Sequence, residues 1–369
     1  MSPILMMQRW WRSIDRLTFF STLFLFILGA LLSFTYSSSL ATKLNISDPL
    51  LLTKRHIIHC TLALLVMIVC SGIPDTLLLR LNQIGWFIGF ALILLTFVKG
   101  TAFKGAQRWL SFGFFSFQPA EIIRATFPVF TAWILTQTYQ GERNKIIFSF
   151  IPTLLASSCL LMQPDIGMAF LICVTYFAQL IFIMRRLTSV VIAFLLPTII
   201  IGTTLMFSAH SRARIKGFLE GGSSEKYQVT QSIRSLQTGG MLGVGPGDGT
   251  IKQHLPDMHS DFILGVIGEE LGVLFCIFVF VIYFFIASRA LIAGLSTQNL
   301  YIMFISVGCA IYIVSQAFVN ASSALGLIPP KGTTLPFISY GGTSLIAAGW
   351  VMGALLNVSR RHVQSRESL

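Results

Sequence analysis

The sequence predicts an all-α integral membrane protein with about ten transmembrane helices, both termini in the cytoplasm and one large extracytoplasmic loop between helices 7 and 8. Two observations predict this class. Hydrophobic residues make up 54% of the 369 residues and charged residues only 11%, whereas about a quarter of the residues in an average soluble domain are charged. The apolar residues also occur in stretches of roughly 20, the length of helix that crosses the hydrocarbon of a bilayer.

Ten apolar stretches of this length follow one another along the chain. The fifth and sixth are separated by only three residues, of which Pro164 disfavours helix in its predecessor and Asp165 suits a helix N-cap. No linker interrupts the series, so residues 1–369 are predicted to form one polytopic domain, with the large outer loop at 209–261. The ten predicted spans are Leu17–Tyr36, His56–Ile73, Leu81–Val98, Pro119–Tyr139, Ile146–Met162, Ile166–Met184, Leu187–Ser208, Phe262–Ser288, Leu300–Asn320 and Leu335–Val358.

Lysines and arginines orient these spans. Cytoplasmic ends of membrane helices carry an excess of both residues, and an even number of spans places the two termini on one side. The assignment puts Asp261 outside. The cations placed in the cytoplasm are Arg9, Arg12, Arg16, Arg143, Lys145, Arg185, Arg186, Arg360 and Arg361.

The outer face is basic as well, with cations that include Lys54, Arg55, Lys104 and Arg108. An anionic ligand at the outer leaflet accounts for them, and anionic lipid headgroups are the alternative. The net charge of +12 does not indicate nucleic-acid binding, because no basic run with interleaved aromatic residues occurs. All six cysteines lie in apolar spans, so neither disulfides nor a metal cluster is expected.

Three carboxylates stand out in the segment from Leu255 to Gly272, where Asp261 precedes an apolar helix and Glu269 and Glu270 lie inside it. Ionisable groups at membrane depth are costly and mark functional sites by default. For Asp261 the alternative is a helix N-cap ahead of the apolar span. Adjacent glutamates cannot share one helix face, so one of the pair is expected to make structural hydrogen bonds within the bundle.

Two further outer segments carry polar groups. In Lys104–Arg124, Glu121 and Arg124 share a helix face at i and i+3, which predicts either a local ion pair or a contact from Arg124 to Asp261. In Asn320–Leu345, two prolines and a glycine pair predict irregular backbone, which is tolerated at membrane depth only where protein buries it or it lines a cavity. A cavity ringed by Lys331, Arg108 and Arg124 would suit a diphosphate.

The stretch Gly239–Gln253 is rich in glycine, so its backbone can approach a ligand closely. A flexible connector between two spans explains the composition equally well, because the spacing matches no nucleotide-binding motif.

Seven motifs, in order over nearly the whole chain, resemble those of the SEDS family (shape, elongation, division and sporulation). Lys331-Gly332 and the GVGPGDGTIK loop are more similar to division members than to elongation members. Ala120 and Arg124 replace a usual serine and lysine, and Ser235 and Gln237 a usual alanine and glycine. The motifs are KGAQRW (104–109), FQPAE (117–121), QPDIG (163–167), YQ (227–228), GGMLGVGPG (239–247), LPDMHSDFI with GEELG (255–272), and PFISYGG (336–342).

The resemblance implies a ten-helix peptidoglycan glycosyltransferase in the bacterial cytoplasmic (inner) membrane, which polymerises lipid II into glycan strands at the outer face during septal cell-wall synthesis. It implies Asp261 as the catalytic residue, with Glu121 and Arg124 as its charge partners. We expect substrate contacts from Lys104, Arg108, Trp109, Gln118, His259, Lys331 and Tyr340, loop glycines near substrate at Gly239, Gly240, Gly243 and Gly245, and structural roles for Glu269, Glu270, Pro164 and Asp165.

The resemblance also implies partners, namely a class B penicillin-binding protein with transpeptidase activity and other divisome proteins. A divalent cation, Mg²⁺ or Mn²⁺, that bridges the diphosphate is compatible with this chemistry, and Asp261 with Glu121 would help to hold it, but no ligand spacing demonstrates a site. The alternative function is a transporter that moves lipid II across the membrane without glycosyl transfer. A scaffold without activity is a third interpretation, but it would need no outward aspartate.

Overall fold

A computed structural model of the chain describes residues 3–43, 45, 47–103, 106–113, 115–138, 142–183, 212, 216–218 and 224–367. Helices dominate these residues. They are α1 (Pro3–Ser13), α2 (Arg16–Lys43), α3 (Leu51–Gly72), α4 (Asp75–Lys99), α5 (Pro119–Thr136), α6 (Glu142–Met162), α7 (Ile166–Ile183), α8 (Ser224–Gly239), α9 (Ile263–Leu295), α10 (Leu300–Ala324) and α11 (Gly342–Glu367), with a 3₁₀ turn at Ile251–His254. Helices α5, α10 and α11 are the most enclosed, while α3 and α4 expose long apolar faces.

Eight helices among the described residues are long and apolar enough to cross a membrane: α2, α3, α4, α6, α7, α9, α10 and α11. They coincide with eight of the ten predicted spans, which confirms the all-α membrane class. The predicted fourth span forms α5, which contains Glu121, Arg124 and an internal proline, Pro128. The predicted span Leu187–Ser208 and part of the predicted loop 209–261 lie outside the described residues, so the total of ten stays a prediction.

Several predicted boundaries are wrong by five to seven residues, because helices α2, α3 and α4 extend beyond the apolar stretches that predicted them. Two of the differences have a visible cause. The last helix begins at Gly342 and not at Leu335, because residues 325–341 form an irregular segment. Helix α9 continues to Leu295, beyond the predicted end, and is broken at Gly272, where φ is +84°. Glycine adopts this conformation without steric cost, since it lacks a Cβ atom.

A small antiparallel sheet connects α4 to α5, which the sequence did not predict. Its order is β1 (Thr101–Phe103), β2 (Ala106–Phe112) and β3 (Phe115–Phe117). Trp109 pairs with Thr101, and Leu110 pairs with Phe117. Strands β1 and β3 have only three residues each, and the sequence of β2, AQRWLSF, does not alternate strictly between apolar and polar residues. The pattern that predicts a strand is therefore missing. The sheet is relevant to the site because Arg108 and Trp109 lie on β2, and Gln118 follows β3 directly.

Polar contacts join the two ends of the described chain. Asp15, between α1 and α2, forms an ion pair of 2.7 Å with Arg289 of α9. Arg360 of α11 donates to the Ser13 hydroxyl at 3.2 Å. The N-terminal and C-terminal residues therefore lie at one end of the bundle, in agreement with an even number of spans. The six cysteines all fall in described helices and are free thiols, buried or half-buried.

Candidate active site

Asp261 lies in the turn that leads into α9, at the end of this helix opposite Arg289. The residue is half-buried, and its N–H donates to the carbonyl of Asp257 at 3.1 Å. Its carboxylate faces Gly332, because a Cβ atom added to that glycine would lie 3.7 Å from Asp261 Oδ2. The N-cap position of α9 is Phe262, whose side chain makes no capping hydrogen bond. A capping role for the neighbouring Asp261 stays an alternative.

An asparagine on α10 holds the backbone of this turn. Asn320 donates from Nδ2 to the carbonyl of Asp261 at 2.9 Å and to the carbonyl of Thr333 at 2.7 Å. One amide group thus joins the turn before α9 to the irregular segment 325–341. Because Asn320 is fully buried, water does not compete for these two bonds.

The other side of the turn is bound to the same segment. Ser339 donates from Oγ to the carbonyl of Ser260 at 2.6 Å, and the N–H of Tyr340 donates to the carbonyl of His259 at 2.8 Å. His259 and Tyr340, both predicted to contact substrate, are therefore neighbours. Three separate hydrogen bonds, with the one from Asn320, fix where Asp261 can lie.

The Tyr340 ring sits among three imidazoles. Ring centroids lie 5.5 Å from His259, 5.8 Å from His56 and 6.0 Å from His59. Burial raises the pKa of the Tyr340 phenol, and the neighbouring Arg55 opposes that shift. The histidines of α3 were not predicted, because nothing in an apolar span indicates which side chain faces a residue almost 300 positions away.

Arg124 is enclosed between α5 and α10, with 2% of its side chain exposed. It pairs with Glu121 at 3.3 Å on its own helix, binds the side-chain oxygen of Gln316, and lies 4.4 Å from the ring centroid of Tyr312. The local ion pair is therefore present, as one alternative predicted. Direct contact between Arg124 and Asp261 stays a prediction.

Buried side chains connect the Arg124 pair to the irregular segment. Gln316 donates from Nε2 to the carbonyl of Thr334 at 2.9 Å, and the hydroxyls of Thr334 and Ser344 are 2.5 Å apart. Ser344 also hydrogen-bonds Glu121. Gln316 and Asn320 are one helical turn apart on α10, so this face of α10 links the charged pair to the turn of Asp261.

Arg108, on β2, contacts the turn between α6 and α7. Its guanidinium donates to the carbonyls of Gln163 at 3.1 Å and Pro164 at 2.5 Å and lies 3.5 Å from Asp165. Gln118 donates to Asp165 at 3.3 Å. The structure thus brings Arg108 and Gln118 together around a carboxylate that also precedes α7, and it gives Pro164 and Asp165 roles in holding the sheet.

Lys331 packs on the same turn. A Cβ atom at Gly167 would lie 3.5 Å from Lys331 Cβ and 3.9 Å from Asp165 Oδ1, so the lysine stem crosses the first turn of α7. The next residue, Gly332, faces Asp261. Lys331 and Arg108 therefore both contact the region of the α6–α7 turn, and Lys331 is next to the glycine that faces Asp261. Lys104 lies outside the described residues.

Glu269 and Glu270 both have structural contacts, and these lie with the outer loop, whereas we expected hydrogen bonds within the bundle for one of the pair. Glu269 accepts from the N–H groups of Ile251 and Lys252 at 2.7 Å each. Glu270 pairs with the ammonium group of Lys252, which is 2% exposed. Both carboxylates therefore bind the outer loop. Lys252 was missed, although a lysine at the end of a glycine-rich loop is a signal for a partner when two acidic residues lie nearby.

The glycine-rich loop packs against α9. A Cβ atom at Gly239 would overlap the carbonyl of Gly268, and one at Gly243 that of Glu270. Gly240 and Gly245 have φ values of +55° and +117°. The backbone of the glycine-rich loop thus approaches α9 more closely than a residue with a Cβ atom would allow. This packing argues against a loose connector. A contact of these four glycines with substrate stays a prediction.

A divalent cation that bridges the diphosphate stays a prediction, and the described residues do not supply a ready set of ligands for it. Within the described part of the chain no three His, Cys, Asp or Glu side chains are grouped so as to hold a metal ion. Glu121, suggested as a ligand together with Asp261, is buried against Arg124. We derive no catalytic step through a metal.

Residues 15–364 match the model of the family described as "Cell cycle protein", which covers FtsW, RodA and SpoVE. The chain belongs to this family. It is 31% identical to the probable peptidoglycan glycosyltransferase FtsW of Caulobacter vibrioides, over 95% of this chain and 90% of the relative. It is also 31% identical to the FtsW of Buchnera aphidicola, over 93% of this chain and 88% of the relative. The resemblance drawn from the motifs is confirmed.

Solved structures of the FtsW/RodA/SpoVE family have the same fold. A chain of a peptidoglycan synthase complex, in which polymerisation and crosslinking are coordinated, superposes with a TM-score of 0.77 at 23% identity, over 95% of this chain and 98% of that one. Thermus thermophilus RodA superposes with a TM-score of 0.69, also at 23% identity, over 95% and 97%. This protein is accordingly a multi-pass membrane protein.

Proposed function

We propose that this chain is a peptidoglycan glycosyltransferase that polymerises lipid II into glycan strands during septal wall synthesis. Its relatives over nine-tenths of its length are named for this activity. The observation that carries the proposal is the position of Asp261, a half-buried carboxylate held by backbone hydrogen bonds and facing the glycine next to Lys331.

Asp261 is the general base in this proposal. The 4-hydroxyl of the acceptor sugar transfers its proton to the carboxylate and attacks the anomeric carbon of the donor, while the bond from that carbon to the diphosphate breaks. A positioned base contributes roughly 10²- to 10⁴-fold to such a reaction. Fixing the backbone through Asn320 and Ser339 keeps the carboxylate at the distance that proton transfer requires.

Lys331 and Arg108 serve the leaving group. The departing diphosphate gains negative charge, which fixed cations stabilise most where water is excluded. Arg108 already binds two carbonyls and Asp165, so its guanidinium is held in place before substrate arrives. Lys331 has a flexible stem and adjusts to the diphosphate as a point charge.

Arg124 and Glu121 act on Asp261 through other residues. Both are buried, and their network reaches the irregular segment through Gln316 and Thr334. They are positioning residues that keep α5, α10 and α11 in register around the site. The arginine that replaces the usual lysine satisfies this role by its contact with the Tyr312 ring.

The proposal extends to location and partners. The chain would act in the bacterial cytoplasmic membrane at the division septum, with Asp261 on the outer side. A class B penicillin-binding protein would crosslink the strands, together with other divisome proteins. The support is the similarity to a chain of a synthase complex that couples polymerisation to crosslinking.

The deciding experiment gives lipid II to the purified protein with a class B penicillin-binding protein. Asp261→Asn should abolish glycan polymer, because the amide cannot accept the proton. The matched control is Asp248→Asn, which changes an exposed aspartate of the outer loop and should leave polymerisation unchanged. Thermal unfolding of the three proteins checks that both variants fold alike.

Other outcomes assign other functions. If the parent protein makes no glycan polymer with any partner or added metal, the proposal is wrong. Exchange of labelled lipid II between leaflets that survives Asp261→Asn, without polymer, would favour the transporter. Absence of both polymerisation and lipid II exchange would favour a scaffold without activity.

A further inference from the structure

The segment Gly240–Val244, here called the apolar loop, exposes large apolar side chains at the end of α8. Met241 is 62% exposed, Leu242 80% and Val244 41%. The sequence has no charged residue between Arg234 and Asp248, and from Gly239 to Gly247 it has no polar side chain at all. Contiguous apolar side chains in such a position mark an interaction site.

The apolar loop is bonded to α9 on both sides of the Gly272 break. The N–H of Val244 donates to the carbonyl of Glu269 at 2.9 Å, and the N–H of Leu274 donates to the carbonyl of Met241 at 3.2 Å. These bonds replace helical ones that the break removes. The loop therefore moves with the first turn of the long part of α9, Val273–Leu295.

The lipid-facing surface of α9 begins beside the apolar loop. Exposed large apolar side chains run from Leu274 to Leu295, whereas none occurs among the described residues of Ile263–Leu271. A helix from Leu274 to Leu295 is about 32 Å long, which matches the roughly 30 Å of bilayer hydrocarbon. Arg289 pairs with Asp15 at the end of the bundle that carries the termini. Leu274 lies only about 22 Å along the helix from Arg289.

The first measurement places Leu274 about level with the outer boundary of the hydrocarbon, and the second places it below that boundary. Any tilt of the helix lowers it further. Met241 is hydrogen-bonded to Leu274 and lies at the same depth. The apolar loop is thus continuous with the surface that already faces lipid.

We propose that the apolar loop inserts Met241, Leu242 and Val244 into the outer leaflet, with lipid acyl chains as their partner. The loop is a membrane anchor for the outer part of the protein. Flanking glycines allow its backbone to turn down beside α9, and the absence of charge makes its transfer into hydrocarbon favourable.

Anchoring has a consequence for the site. Ile263–Leu271 lies between Asp261 and the Gly272 break, and the loop binds the end of this short helix. Insertion would therefore hold Asp261 at the level of the headgroups, where a lipid-linked diphosphate resides. This consequence rests on the proposed function, whereas insertion itself does not.

Spin labelling tests the insertion directly. The full-length protein carrying Leu242→Cys is labelled in vesicles of phosphatidylethanolamine and phosphatidylglycerol, and collisions with oxygen and with a water-soluble nickel chelate are measured. Oxygen concentrates in hydrocarbon and the chelate in water. The matched control is Thr250→Cys, an exposed position farther along the same outer loop, and the labelled parent gives the background of the six native cysteines.

The label at position 242 should lose its collisions with nickel and gain those with oxygen, while the label at position 250 should show the reverse. Equal nickel access at both positions would overturn the proposal. Protection at position 242 that appears only when a penicillin-binding protein is added would assign the loop to a protein partner and equally overturn it. Neither result depends on whether the protein polymerises lipid II.

Discussion

Asp261 and the pair Glu269–Glu270 lie within ten residues of each other, yet their surroundings differ in kind. Glu269 has both oxygens occupied by backbone N–H donors, and Glu270 is paired with a buried lysine. Asp261 is half-buried, its backbone carbonyl accepts from Asn320, and its carboxylate faces Gly332. The two glutamates are bound to the outer loop as part of the framework, whereas Asp261 is held in a turn at the irregular segment that carries Lys331.

The largest effect on stability should come from Lys252→Met. Removing the ammonium group leaves Glu270 charged and buried, which costs about 3–5 kcal/mol in the free energy of unfolding. Thermal unfolding in detergent measures the loss. The double variant Lys252→Met with Glu270→Gln should recover part of it, because no uncompensated charge remains. A single variant as stable as the parent would contradict the framework role of this pair.

Glu269→Gln should have a smaller effect. The amide oxygen still accepts from one of the two N–H groups, but the NH₂ group faces the other N–H donor, so one hydrogen bond to a charged group is lost, at about 1.5–3 kcal/mol. The same unfolding measurement applies, with Asp248→Asn as the control for loss of an exposed carboxylate. If Glu269→Gln behaved like that control, the two N–H bonds would not contribute to loop stability.

Asn320→Ala should affect catalysis more than stability, and it tests the Asp261 side of the comparison. Two hydrogen bonds to backbone carbonyls disappear, each worth about 1 kcal/mol, and the turn of Asp261 gains freedom. We expect kcat to fall while KM is retained, since substrate contacts remain but the base is misplaced. The matched control is Ser315→Ala on the same helix, whose hydroxyl bonds only the local Tyr312 carbonyl. An unchanged kcat would show that this asparagine does not position the base.

The comparison also shows what the sequence could predict. Spans follow from length and apolarity alone, because every backbone group in hydrocarbon must be bonded within its own helix. Asp261 stood out for the same reason, as an ionisable group at the mouth of such a span. These properties are local, so they can be predicted from the sequence without knowledge of the neighbouring helices.

The contact partners of these side chains could not be predicted from the sequence. Arg124 has its main contacts on α10, and Glu270 pairs with Lys252 across a loop, because packing between distant segments decides which side chains meet. The break at Gly272 depends on the apolar loop that fills it. Likewise the helix that begins at Gly342 is preceded by apolar residues that hydropathy joins to it, although their backbone is irregular.

The contacts of Asp15 and Ser13 bear on how the protein is made. They join the first helix to Arg289 and Arg360, across 274 and 347 positions of the chain. Because synthesis proceeds from the N-terminus, α1 emerges from the ribosome long before these two arginines exist. Until Arg289 and Arg360 have been synthesised, Asp15 and Ser13 lack these partners, so closure of the bundle around α1 is a late event in biogenesis.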